Sequence, residues 1–144
     1  MNIEVNYVAV LIAAIASMVA GAVWYVLFAK LLQKIRPLTA EEQQQAQKQM
    51  KAMFGVGFLL TLVMSEVLFH IVAITQDVSH LSPVMNGFLT AFVIYIGFVV
   101  PVQATHIIFG NYGDLAKKLK LFGINTGGQM VSLLAMGATI GLMR

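Results

Sequence analysis

AMFGVGFLLTLVMSEVLFHIVAI, residues 52–74, is the stretch that decides the fold. Almost every residue in it is apolar. At ~1.5 Å of rise per residue, a helix of this length crosses a hydrocarbon core of ~30 Å. The run carries Glu66 and His70, a carboxylic acid and an imidazole one helical turn apart. An ionised carboxylate facing lipid is costly, so Glu66 is expected to turn toward other helices.

Three further apolar runs lie outside it, at about residues 7–28, 83–109 and 121–143. The chain has 144 residues, 59% hydrophobic and 10% charged, too little charge to cover a soluble domain of this size. With ~20 residues in each span, little chain remains for a second domain. The expectation is one domain over residues 1–144, an all-α integral membrane four-helix bundle. The absence of cysteine excludes thiol catalysis, disulfides, iron–sulfur clusters and cysteine-rich zinc sites. No cofactor is expected.

The polar segments between the runs set the threading. Basic residues follow the first run at Lys30, Lys34 and Arg36 and do not precede it, so it reads as a retained helix and not as a signal peptide. Pro37 interrupts the chain, and Thr39-Ala-Glu-Glu42 has the form of a capping box. The Gln-rich segment 43–51 is then an amphipathic helical extension running into the second span, read either as a solvated extension or as a docking surface for a partner. Residues 29–51 and 110–120 carry eight of the nine Lys and Arg, and only Arg144 lies on the other side. The positive-inside rule puts both basic loops in the cytoplasm and both termini outside. Topology therefore explains the basic residues, and nucleic-acid binding is not expected.

Small residues mark helix contacts. Ala9, Ala13, Ser17 and Gly21 repeat at i, i+4 along span one, and Gly123/Gly127 and Gly137/Gly141 form two pairs in span four. Gly97 and Pro101 are four apart, so the missing proline N–H and the ring clash fall on one carbonyl, which predicts a kink.

Depth along the helices predicts two polar groups. Ser17, Glu66, Thr90 and Ser132 fall at similar heights, about 20 Å above the basic edge, with Gln129 just below and His70 above. Gln103, His106 and Asn125 form a second cluster roughly 15 Å nearer the basic end. Glu66 reads either as helix glue, hydrogen-bonded to Ser132 or Gln129, or as a carboxylate that handles a proton or ligand. Glu66 and His70 share a face and are able to ligate one ion, but no third ligand lies at that height, so no metal site is expected.

Several patterns occur together along the chain. They are Trp24-Tyr25 at the end of span one, Leu38-Thr39-x-Glu41-Glu42, His70 late in span two, Gly97-Phe98-x-x-Pro101, and the span-four run from Ile124-Asn125-x-Gly127 through Val131-Ser132-Leu133-Leu134-x-Met136-Gly137-Ala138. In these the chain resembles, over nearly its whole length, a family of small four-span bacterial membrane proteins known only as a domain of unknown function. The resemblance implies a bacterial inner-membrane setting and no assigned activity.

Three functions remain open: a structural or accessory membrane subunit that binds itself or other subunits, a small transporter or channel using the Glu66 layer, and an intramembrane enzyme on a lipid-like substrate. No nucleophile–base pair, phosphate loop or zinc-protease motif supports the third. Four short helices do not easily enclose a path. A homo-oligomer or a membrane partner is therefore expected, with the small-residue stripes of spans one and four as contact surfaces.

Overall fold

The computed structural model describes residues 4–144. These form four long helices, with no strand among the described residues: α1 (Tyr7–Ile35), α2 (Ala40–Val78), α3 (Pro83–Phe109) and α4 (Leu115–Met143). All four are long and apolar enough to cross a membrane. The fold is the all-α four-helix arrangement that the apolar runs predict.

The helix ends follow local chemistry. Asn6 caps α1 by accepting from the Ala9 N–H at 3.1 Å. The helix does not stop at Phe28 but continues to Ile35, because residues 29–34 are good helix formers and the break comes only near Pro37. The capping box is present: Glu42 N–H donates to Thr39 Oγ1 at 3.2 Å, and Thr39 N–H donates to the Glu42 carboxylate at 2.9 Å. α2 is then unbroken to Val78, so the expected loop 75–82 shrinks to residues 79–82. Ser82 and Pro83 start α3, the proline at a position where its missing N–H costs nothing. Gly113, at φ +86°, turns the chain into α4, and Asp114 caps it by accepting from Lys117 N–H at 3.3 Å. Lys117, Lys118 and Lys120 therefore lie in the first turns of a helix and not in a loop.

The proline disturbance in α3 takes the form of a widened turn. Residues Tyr95–Val99, which include Gly97, are π-helical, and Val100 N–H reaches back to the Tyr95 carbonyl. Widening the turn just before Pro101 relieves the ring's clash with the preceding turn. Thr105 Oγ1 donates to the Pro101 carbonyl at 2.9 Å.

The packing centre is α4. Residues from all four helices meet in one core, including Ala9, Val10, Ala13, Leu68, Phe69, Val72, Ala91, Leu133, Met136 and Ile140. Lipid tails are as apolar as leucine, so close contact and hydrogen bonds must hold such helices together. The close contacts come from glycine. On α4, Gly137 and Gly141 lie directly against Gly87 and Pro83 of α3, backbone on backbone, with the Ala91 methyl also against Gly137. Gly21 of α1 faces Ser132, where an added Cβ would come within 2.6 Å of the hydroxyl. Trp24 lies across Gly127 and Gly128, and its Nε1–H donates to the Ile124 carbonyl at 2.9 Å.

Two expectations about the stripes change here. Gly123 is exposed, with nothing within 4 Å of an added Cβ, so it is not a packing glycine. Ala9, Ala13, Ser17 and Gly21 are buried inside the bundle, as are Gly137 and Gly141. These stripes join helices of one chain and are not open surfaces for another.

Both ends of the bundle are defined. Asn6 Nδ2 donates to the Met143 carbonyl at 3.3 Å, which ties the start of α1 to the end of α4. At the opposite end Arg36, Tyr112 and Asn125 share a crevice, so the two basic connections lie together. α2 has 39 residues, and at ~1.5 Å each it far exceeds a ~30 Å core. Every position of its N-terminal part, from 40 to 56, is exposed, and Met53 and Phe54 border α1 across a shallow cleft with Met18.

Candidate functional site

Burial of Ser65, Leu68, Phe69 and Val72 sets how α2 is rotated. These positions follow the i, i+3, i+4, i+7 pattern of one helix face. Ser65 is fully buried and donates to the Val10 carbonyl of α1 at 2.8 Å. Glu66, about 100° further round the helix, is carried to the flank. It is partly exposed beside an open groove of about 370 Å³ between α1 and α2, lined also by Tyr7, Val10, Leu11, Leu62, Val63 and Val67. The expected bond from Glu66 to Ser132 or Gln129 is not formed, because Ser132 faces Gly21 across the α1–α4 contact. His70 Nδ1 donates to the Glu66 backbone carbonyl at 2.9 Å, not to its carboxylate.

The predicted outer layer is thus divided among three contacts. Ser17 is buried on α1, one turn from Gly21, and Gln129 is partly buried on α4. Thr90, on α3, joins a different group. Its hydroxyl lies 3.0 Å from Thr75 Oγ1, and Asn86 Nδ2 donates to the same Thr75 oxygen at 3.1 Å. Thr75 in turn reaches the Ile71 carbonyl at 3.0 Å. One assignment satisfies all three: Thr75 donates to its own helix and accepts from Asn86 and Thr90, filling both lone pairs. Asn86 and Arg144 also donate to the Val72 carbonyl, at 3.1 and 3.2 Å. Asn86 is 3% exposed and binds α3 to α2 with both amide bonds. Asn86→Ala is expected to cost about 1 kcal/mol in reversible unfolding in mixed micelles, within the range of interhelical hydrogen bonds in membrane proteins.

The predicted inner cluster does not assemble through hydrogen bonds. His106 is exposed, its ring 6.0 Å from that of Tyr112. Gln103 is partly buried on α3, and Asn125 lines a crevice of about 280 Å³ with Gln33 and Arg36. Among the described residues, no three His, Asp or Glu side chains are close enough to hold a metal ion.

Ser65, Thr75 and Asn86 escape a reading by residue depth. Serine and threonine are unremarkable in apolar helices, and only the rotation of each helix shows that these bind across it. Asn86 and the spacing Pro83-Gly87-Ala91 were the available signals. The polar groups brought together here join backbone to side chain and helix to helix. No pair among them forms a nucleophile and its base.

No curated protein and no solved structure matches the chain. A family model matches residues 8–141, nearly the whole length described above, and by that match the chain belongs to the family described as protein of unknown function (DUF1761).

Proposed function

We propose that this chain is a structural or accessory subunit of the bacterial inner membrane, with both termini outside and its basic end in the cytoplasm, that associates with itself or with another membrane subunit. One observation carries the reading: the buried polar side chains Ser65, Asn86 and Thr90 serve bonds between helices, while every residue of 40–56 in α2 is exposed. The free segment bears Met50, Met53 and Phe54, all exposed, beside Gln and Lys. Since the glycine stripes are used internally, this segment is the surface to which we assign association.

Native mass spectrometry after gentle extraction tests it. A homo-oligomer or a stoichiometric second subunit is expected, and single cysteines at Met50 or Met53 should cross-link in the naturally cysteine-free chain. A strict monomer that cross-links to nothing would overturn the proposal.

The transport reading rests on Glu66. Its position on an open flank supports a peripheral role, so Glu66→Gln is expected to leave accumulation, assembly and proton flux in vesicles unchanged. Loss of a measurable flux would favour transport instead.

A further inference from the structure

At the basic end, α3 and α4 diverge and leave an apolar crevice of about 370 Å³. Its walls are Ala104, Ile107 and Ile108 of α3 and Leu115, Leu119 and Phe122 of α4. Leu115 and Leu119 are more than half exposed, so the crevice is open to its surroundings. Lys118 stands at its rim. Its Nζ donates to the Ile108 carbonyl at 2.9 Å, which uses one of the three ammonium donors and leaves two. Lys117 and Lys120 are exposed on the same helical turns. The nearby acid, Asp114, is engaged by the Lys117 N–H as the helix cap.

An apolar cleft with a lysine rim, at the end of two helices long enough to cross a bilayer, has the chemistry of an amphiphilic anion. We infer that this crevice is a binding site for an anionic glycerophospholipid, its acyl chain between Ile107 and Phe122 and its phosphate on Lys118. The charge at the rim selects an anionic head group, and the apolar walls select a lipid over a free phosphate. The site does not depend on the association proposed above, since none of its walls belongs to α2.

The test uses the full chain in neutral detergent, offered phosphatidylglycerol and phosphatidylcholine at equal concentration, with retention read by native mass spectrometry. Phosphatidylglycerol should be retained about fivefold over phosphatidylcholine, the factor one lysine contributes beside an anionic head group. Lys118→Gln should bring the two lipids near parity, and Lys118→Arg should keep the preference. Ala104→Phe, which fills the crevice and keeps every lysine, should lower retention of phosphatidylglycerol. It decides the matter even if Lys118→Gln unfolds the end of α3. Equal retention of both lipids by the unaltered chain, or displacement of the lipid by glycerol 3-phosphate at the same concentration, would overturn the inference.

Discussion

Gly87→Ala is expected to lower the unfolding free energy by about 3 kcal/mol, at the upper end for overpacking at a tight contact. The new methyl would overlap the Gly137 carbonyl oxygen and come within 3.3 Å of the Gly141 nitrogen. Both atoms are backbone, so no rotamer change makes room. The helices must move apart, and the contacts along Pro83, Gly87 and Ala91 then weaken together. Gly123→Ala is the control. Nothing lies within 4 Å of its added carbon, and alanine is the better helix former by up to ~1 kcal/mol. The two variants should therefore differ in sign when unfolded reversibly in mixed micelles. Equal effects would mean that α3 and α4 do not meet backbone to backbone.

Trp24→Ala is expected to cost about 3 kcal/mol, at the low end for a large aromatic because the side chain is only partly buried. Two losses combine: the indole's cover over Gly127 and Gly128, and the hydrogen bond to the Ile124 carbonyl. Trp24→Phe separates them, since it keeps much of the ring contact and loses the N–H; it should cost about 1 kcal/mol. Gly127→Ala attacks the same contact from the other side. Its methyl would overlap the Trp24 ring, and Cη2 would lie 3.0 Å away. In a double-mutant cycle the pair Gly127→Ala with Trp24→Phe should cost less than the sum of the single changes. Strict additivity would show that the indole does not rest on these glycines. Trp24 is the only tryptophan, so its fluorescence reports the same contact directly.

Much of the architecture is legible in the sequence. The four apolar runs, the Thr39–Glu42 cap and the disturbance ahead of Pro101 each rest on local rules, because a backbone in lipid must satisfy its own hydrogen bonds. The candidate site was much less legible. Depth along a helix is a local quantity, and it put Ser17, Glu66, Thr90 and Ser132 at one level. Which way each side chain points is not local. In water an apolar stripe turns a helix toward the core, but a helix that is apolar all round has no such guide when its solvent is lipid.

Sequence alone thus determined the helical class, the helix count, the Thr39–Glu42 cap and the grouping of the basic residues at one end. Tertiary structure decided which helix became the centre and which face each helix turned inward. It chose α4, whose glycines let α1 and α3 come closest, over the more apolar second run. It also turned Ser65 and not Glu66 toward α1. The physical reason is shape: among helices that lipid solvates equally on every side, backbone contact at glycine and side-chain bonds to free carbonyl lone pairs are what distinguish one face from another.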